Sequence, residues 1–241
     1  MLNLNRFEEQ TPRVLNPAAS QASTLFLAKV FNWMAAGLGL TALTAFLVAN
    51  SAAAQQLIFG NRLVFYGLVI GELGLVIYLS ARLAKISAGQ ATAMFLIYSA
   101  LNGATLSVIL MIYTATSVAS AFVVAAGMFG AMAVYGTVTK KDLTSLGSFM
   151  FMGLIGIIIA AVVNLFLHSP AVSWVISALG VIVFTGLTAY DVQKISRYGA
   201  SGIMNGGETD IRKGAIMGAL SLYLDFINLF LSLLRLMGDR R

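Results

Sequence analysis

One apolar stretch of the sequence, residues 218–235, carries polar side chains at a spacing that could do chemistry inside a membrane. They are Ser221, Asp225, Asn228, Ser232 and Arg235, at steps of four, three, four and three residues. On a helix this spacing places all five on one stripe, and the remaining faces are Leu, Ile and Phe. A carboxylate in hydrocarbon costs a few kcal/mol or more unless it faces a bundle interior or a wet cavity. Asp225 is therefore predicted to meet a partner on another helix.

The composition indicates the class of protein. The chain of 241 residues is 59% hydrophobic and 10% charged, whereas a soluble domain is roughly one-quarter charged. It contains no cysteine and a single histidine, His168, which excludes disulfides, a thiol nucleophile and a histidine-cluster metal site. The net charge of +6 is spread over several loops, which favours topology-setting charge over nucleic-acid binding. The sequence predicts a polytopic membrane protein.

Seven apolar segments are long enough to cross the roughly 30 Å hydrocarbon core of a bilayer as helices. They are predicted near residues 26–49, 61–81, 92–113, 119–138, 146–167, 171–191 and 214–236. Residues 1–24 are predicted to form a cytoplasmic tail and residues 25–241 a single transmembrane domain. Small residues recur at spacing four, typical of close helix packing, in Ala126 with Gly130, Gly127 with Ala131, and Gly156 with Ala160. The predicted fold class is all-α, a seven-transmembrane-helix bundle.

The distribution of basic residues predicts the orientation. With the N-terminus in the cytoplasm, eleven of the fifteen Lys and Arg residues fall on the inside. The four others are Arg62, Arg235, Arg240 and Arg241. Seven spans place the last two arginines outside, against the bias, so six spans with a re-entrant last segment stay open as an alternative. Seven spans are preferred.

A few more polar side chains lie within the predicted spans. Glu72 lies in the second, Asn102 in the third, Asn164 in the fifth, and Asp191 ends the sixth. The asparagines are interpreted as interhelical hydrogen-bonding groups worth ~1 kcal/mol each. Asp191 alone could be a solvated helix end. Asp225 could be a structural pin bonded to Asn102 or to a tyrosine hydroxyl.

Two aspartates on neighbouring helices also raise the hypothesis of an intramembrane aspartyl protease. The pair Tyr190-Asp191 resembles the first motif of that class. The second motif has a glycine directly before its aspartate, whereas Leu224 precedes Asp225 here. This departure disfavours catalysis, and the protein is predicted not to be an enzyme.

Two stretches together resemble the signature of the Bax inhibitor (transmembrane Bax inhibitor motif) family. They are residues 186–195, Gly-Leu-Thr-Ala-Tyr-Asp-Val-Gln-Lys-Ile, and residues 220–230, Leu-Ser-Leu-Tyr-Leu-Asp-Phe-Ile-Asn-Leu-Phe. The resemblance covers nearly the whole chain and is nearest to the bacterial inner-membrane branch. It implies six helices around a central C-terminal helix and a pH-dependent leak of Ca²⁺.

The same resemblance implies roles for individual residues. Asp191 and Asp225 match the family's aspartate pair, and Glu72 matches an acidic position in the second helix. Arg82 lies close to the place of a basic partner in the family. Asn102 and Asn228 complete the set expected to form the pH latch and the ion pathway.

The implied mechanism is a latch that opens on losing a proton. Two carboxyl groups about 3 Å apart cannot both ionise cheaply, so they are expected to share a proton that holds the last two spans together. Loss of that proton as pH rises adds repulsion, and either the helices separate or a divalent cation neutralises the pair. Asp191 and Asp225 are expected to form a weak, transient calcium site, with no resident cofactor.

This mechanism has a geometric difficulty. Asp191 lies at the end of its predicted segment, whereas Asp225 lies near mid-membrane. The two can meet only if the helix that carries Asp191 starts later or runs deeper than the segment 171–191.

The alternative to transport is regulation by contact. Members of the family are implicated in cell-death control, and some bacterial relatives resemble modulators of a membrane-bound AAA protease. The charged N-terminal tail would then be the contact element. The expected partners are the lipid bilayer, calcium and a membrane protein such as that protease, with no nucleic acid. The expected location is the bacterial inner membrane.

Overall fold

The computed structural model describes residues 17–83 and 85–241, which form eight α-helices and a short 3-10 turn. They are α1 (Pro17–Ala49), α2 (Ala52–Phe59), α3 (Arg62–Arg82), α4 (Ala88–Ile112), α5 (Ala115–Val138), α6 (Thr144–Leu167), α7 (Pro170–Ala200), the 3-10 turn (Ile203–Asn205) and α8 (Glu208–Met237). All of the helices except α2 are long and apolar enough to cross a membrane. The prediction of an all-α fold with seven spans is confirmed.

Helix boundaries follow from local sequence. Ser87 begins α4 with a reciprocal capping box to Gln90, which satisfies two otherwise unpaired donors. Ser169 caps α7, and Pro170 occupies the first turn, where its missing N–H costs nothing. His168 ends α6 in the left-handed region, at φ 51°, and this reversal joins α6 and α7 as an antiparallel pair.

The last helix, α8, lies at the centre of the bundle. Its buried side chains run from Ala215 to Leu234 and cover most of its circumference. It packs against α1, α4, α5 and α7, while α3 packs on α4 and α6 packs on α7. The expectation that six helices surround the last one is corrected to four. The outer pair, α3 and α6, are apolar on nearly all faces and leave most of their side chains exposed, as suits contact with lipid.

Glycines at particular positions allow the inner helices to approach closely. A Cβ on Gly103 of α4 would meet the Thr41 carbonyl and lie 2.8 Å from Thr44 Cβ of α1, and one on Gly136 of α5 would meet the Ala189 carbonyl of α7. By contrast, no atom lies within 4 Å of a Cβ placed on Gly127, Gly130 or Gly156. The pairs Ala126–Gly130 and Gly127–Ala131 are exposed, and Gly156 and Ala160 line a cavity of about 620 Å³ between α6 and α7 instead of a close helix contact, because spacing alone does not identify a helix interface.

Three segments differ from the predicted boundaries. α1 begins at Pro17, so residues 17–24 of the predicted tail are helical, and residues 1–16 lie outside the described part of the chain. The short helix α2 occupies a stretch that was not predicted as helix. α7 continues nine residues beyond Asp191, to Ala200. Asp191 is thus inside its helix, which removes the difficulty of bringing it to the level of Asp225.

The end of the chain is docked on the turn between α4 and α5. The Thr114 N–H donates to the Asp239 carbonyl (3.1 Å), and the Arg241 N–H donates to the Ile112 carbonyl (2.8 Å). The Asp239 N–H donates to Ser117 Oγ (2.9 Å). This turn lies at the opposite end of α8 from Glu208, about 45 Å away for a helix of 30 residues. α8 therefore crosses the whole bundle, and the re-entrant alternative is wrong.

Candidate functional site

The structure brings Asp191 and Asp225 together between α7 and α8. These helices pack along each other, and the two carboxylates are close enough to interact electrostatically. Ser221, one turn before Asp225, lies beside Asp191 and lines the same cavity. Asp191 is half-buried, whereas only 6% of Asp225 is exposed. The pair thus has an accessible member and an enclosed one.

Asp225 is the less satisfied of the two carboxylates. Its Oδ2 atom is buried and has no hydrogen-bond partner among the described residues. A buried polar atom without a partner is costly, and a buried negative charge more so. A proton or a cation would relieve that cost at this atom.

Two neighbouring cavities lie between Asp191 and the α7–α8 connection. Asp191, Ser221 and Lys194 line a cavity of about 240 Å³. A second cavity of about 580 Å³ lies around the connecting residues 201–206 and includes Asp210 in its lining. Three residues, Leu83, Tyr198 and Gly214, line both cavities. The two cavities therefore adjoin at these residues, on the side of Asp191 that faces this end of the bundle.

Aromatic rings lie where the two cavities adjoin. The rings of Phe26 in α1 and Tyr198 in α7 meet edge to face with centroids 5.6 Å apart. A Cβ on Gly214 of α8 would lie 3.0 Å from Tyr198 Cε1 and 3.2 Å from Phe26 Cζ. The absence of a side chain at Gly214 is what leaves room for both rings. Three helices thus contribute to the constriction between the cavities.

Glu72 belongs to a second polar network, on the other side of α8. Its carboxylate accepts hydrogen bonds from the Thr105 hydroxyl (3.1 Å) and the Asn102 amide (3.4 Å). The side-chain oxygen of Asn102, Oδ1, accepts a hydrogen bond from the Tyr223 hydroxyl (3.0 Å). The same hydroxyl also lies 2.7 Å from Thr41 Oγ1. This network joins α1, α3, α4 and α8. It gives the 8% exposed Glu72 its partners.

Two further residues of the predicted pathway lie apart from both networks. Asn228 donates to the Leu224 carbonyl of its own helix (2.8 Å), and its backbone carbonyl accepts from Ser232 (2.7 Å). Arg82 is exposed at the end of α3 and makes no ion pair with any described residue. The six predicted site residues thus separate into the aspartate pair, the Glu72–Asn102 network and two residues that join neither.

Sequence reasoning assigned no role at the site to Tyr198 or Tyr223. Tyr198 lies in the part of α7 beyond the predicted span. Tyr223 lies in an apolar helix, and the sequence around it does not indicate which polar group its hydroxyl will bond. Ser221 was placed on the stripe of Asp225. Its spacing of four residues from Asp225 was the one available signal that it would lie at the site.

The turn between α5 and α6 is fixed to α7 immediately beyond Asp191. The Gln193 amide bonds the backbone of the turn 139–143 twice, at 2.8 and 2.9 Å, and Arg197 pairs with Asp142 at 3.1 Å. Hydrogen bonds from the Thr144 hydroxyl and N–H, with a smaller effect of Arg197, hold the pKa of Asp142 below its usual range. The helix segment that carries Asp191 is therefore anchored on its far side.

The donors at the aspartate pair fit a passing cation better than a bound one. They are two carboxylates and one hydroxyl, whereas resident Ca²⁺ takes six to eight oxygen ligands. Residues 17–83 and 85–241 contain no group of three or more His, Cys, Asp or Glu side chains placed to hold a metal ion. Incomplete coordination favours exchange of the ion over storage.

Comparisons with known proteins agree with the resemblance seen in the sequence. A family described as Bax1-I, inhibitor of apoptosis-promoting Bax1, matches residues 23–241. The chain is 54% identical over 216 residues to "Inner membrane protein YbhL" of Escherichia coli (strain K12), covering 90% of this chain and 92% of that protein. It is 49% identical over 217 residues to an uncharacterized protein of Borreliella burgdorferi, with coverage of 90% and 92%. An uncharacterized protein of Deinococcus radiodurans is 43% identical over 228 residues, with coverage of 92% and 96%.

Proposed function

This chain belongs to the Bax inhibitor family, and from that premise we propose that it is a pH-sensitive leak channel for Ca²⁺ in the inner membrane, gated by Asp191 and Asp225. The observation that carries the proposal is the pairing of these two carboxylates between α7 and α8, with Asp225 enclosed and one of its oxygens unpaired. Two carboxylates inside an apolar bundle cost folding free energy, and ionisable groups at such positions usually mark a functional site.

The two joined cavities supply the route. An ion that enters from the α7–α8 connection meets Asp210 first, passes the constriction of Phe26 and Tyr198, and reaches Asp191 and Ser221. We place the N-terminus in the cytoplasm, so this entrance faces the cytoplasm. The opposite exit lies beyond Asp225 along α8, and its opening requires α7 and α8 to move apart.

The direction of the pH response follows from the charges. At low pH one proton is shared by the pair, and α7 and α8 stay together. As pH rises the proton leaves, and two carboxylates at close range repel each other in a medium of low dielectric constant. The helices then separate, or Ca²⁺ neutralises the pair and continues through. The leak is therefore expected to increase with pH.

Ca²⁺ flux into proteoliposomes between about pH 6 and about pH 8 tests the proposal, because loss of the shared proton is the event that opens the proposed gate. The wild type is compared with a variant that carries both Asp191→Asn and Asp225→Asn. The matched control is Asp239→Asn, which removes an exposed carboxylate at the far end of the chain. The hydrogen bonds that Asp239 makes to Thr114 and Ser117 involve its backbone and not this carboxylate. The control should keep the wild-type pH profile and the double variant should lose it.

Two results would contradict the proposal. A double Asn variant whose leak still follows pH would remove the gate from the aspartate pair. An absence of flux from folded, inserted wild-type protein would favour the regulator of another membrane protein, whose contact element would be the N-terminal tail. Deletion of residues 1–16 separates these readings, because a pore should survive that deletion and a regulator docked by its tail should not.

A further inference from the structure

A groove between α1 and α8 carries a cluster of hydrogen-bond donors that neither the aspartate pair nor the Glu72 network uses. Its volume is about 280 Å³, and it lies at the end of the bundle where α1 and α8 begin. From α1 it is lined by Lys29, Asn32 and Trp33, and from α8 by Glu208, Ile211, Arg212 and Ala215. These positions recur at three and four residues, so each helix presents one continuous face to the groove.

The groove carries more positive than negative charge. Neither Lys29 nor Arg212 makes an ion pair with any described residue. The Arg212 guanidinium instead lies over the Trp33 ring, 5.6 Å from its centroid, which leaves the N–H groups at its edge free to bind an anion. Glu208 contributes one negative charge, so two cations and one carboxylate leave a net charge of +1 in the groove.

The depth of the groove matches the edge of the hydrocarbon layer. Lys29 lies 20 residues before the end of α1, about 30 Å along a helix. Arg212 lies 23 residues before Arg235 in α8, about 35 Å along a helix. Both distances approximate the thickness of the hydrocarbon core. Trp33 beside them is the residue type that prefers this interface.

The face of α1 below the groove is apolar and open to the bilayer. Following Asn32 at helical spacing, the exposed stripe continues through Ala36, Leu43 and Leu47. Leu43 and Leu47 are 55% and 57% exposed. A ligand with an anionic head and a hydrocarbon chain would meet the cations and this stripe together, whereas a free anion would use the cations alone.

We propose that this groove is a binding site for the phosphate headgroup of an anionic membrane phospholipid, held by Lys29 and Arg212 with Asn32 as a further donor. Its acyl chain lies along the exposed stripe of α1. A zwitterionic lipid offers the same phosphate but adds a cation, which the groove would repel. The site should therefore select by net charge of the headgroup and not by phosphate alone.

The test is native mass spectrometry of the protein in neutral detergent with phosphatidylglycerol or phosphatidylcholine added. The test variant carries Lys29→Gln and Arg212→Gln. The control carries Lys85→Gln and Lys140→Gln, which removes the same charge from exposed positions at the same end of the bundle that do not line the groove. Loss of both cations should weaken binding of phosphatidylglycerol about twenty-fivefold, from roughly fivefold for each.

Each outcome decides the proposal. Preferential retention of phosphatidylglycerol, lost in the test variant and kept in the control, supports it. Equal loss in both variants would mean general charge attraction and would overturn the site. Unchanged retention in the test variant, or displacement of the lipid by equimolar inorganic phosphate, would overturn it as well. The result does not depend on calcium transport.

Discussion

Tyr223 and Asp225 stand two residues apart on α8 and face opposite sides of it: Tyr223 bonds toward α1 and α4, and Asp225 faces Asp191 on α7. One helical turn therefore carries both polar systems of the protein. A shift of α8 that separates the aspartates must also disturb the hydroxyl of Tyr223. The Glu72 network thus restrains the position of α8 relative to α1 and α4.

Replacement of Tyr223 by Phe is expected to destabilise the protein by about 1–2 kcal/mol, because it removes the hydroxyl that donates to the buried side-chain oxygen of Asn102 and one of the partners of the Thr41 hydroxyl. The ring contacts to Phe95 and Tyr98 would remain. Thermal unfolding in detergent measures the change. The control is Tyr98→Phe, since the Tyr98 hydroxyl makes no hydrogen bond with a described residue; equal losses in the two variants would show that the network contributes nothing.

The pH response should belong to the aspartate pair as a unit. Asp191→Asn and Asp225→Asn are each expected to flatten the dependence of Ca²⁺ leak on pH, and the double variant should add little to either. The reason is that repulsion needs two carboxylates, so removal of one removes all of it. Flux assays on the three variants give the comparison, and additive effects of the single changes would show that the two groups titrate independently.

Tyr198 should control access to Asp191. Tyr198→Ala is expected to open the constriction to Phe26, while Tyr198→Phe keeps the ring and should leave it closed. The natural chain has no cysteine, so a single Ser221→Cys substitution can be labelled without background. A water-soluble thiol reagent should react several-fold faster in the Tyr198→Ala background than in the Tyr198→Phe background. Equal rates would place the constriction elsewhere.

A methyl group at Gly103 should separate α1 from α4. Gly103→Ala is expected to cost about 1–3 kcal/mol, because the new Cβ meets the Thr41 backbone, which cannot rotate away. Gly127→Ala is the matched control, since its Cβ meets no atom within 4 Å and alanine favours helix. Thermal midpoints of the two variants should therefore differ. A control as unstable as Gly103→Ala would contradict this account.

The turn 139–143 should be insensitive to pH across the range in which the leak responds. The pKa of Asp142 is lowered by its hydrogen bonds to Thr144 and by Arg197. The stabilisation it provides is therefore complete above the ordinary value of about 4 and is lost as pH falls through the lowered value. Hydrogen exchange of the turn should be flat from about pH 6 to about pH 8, apart from the intrinsic rate. Asp142→Asn should weaken the turn at every pH, and pH-dependent protection in that variant would contradict the assignment.

The sequence was sufficient for the spans because their length and apolarity are properties of each segment alone. It also identified Asp191 and Asp225, since a carboxylate in an apolar helix stands out without knowledge of its partner. Helix ends were less accurate. α7 continues as a more polar helix to Ala200. A hydropathy pattern marks the apolar part of a helix that lies in the membrane, so it does not show where the helix itself ends.

Partnerships between helices were the part that the sequence left undetermined. Asn228 shares the stripe of Asp225, yet its side chain bonds the backbone of its own helix. Tyr223 lies off that stripe, and its hydroxyl bonds Asn102 of α4 and Thr41 of α1. The glycines at spacing four make no close helix contact for the same reason. Which face of a helix meets a neighbour depends on the arrangement of all the helices, and a single segment does not carry that information.

The central position of α8 has a consequence for biosynthesis. The helix that fills the middle of the bundle leaves the ribosome after the other six spans, so these must enter the bilayer while Thr41, Asn102 and Asp191 still lack their partners from α8. Until then the growing chain holds polar groups within hydrocarbon, where an insertase or trapped water has to accommodate them. Docking of residues 239–241 on the turn at Ile112–Ser117 then completes the bundle. A chain stopped before α8 would leave α1, α4, α5 and α7 without the helix against which all four of them pack.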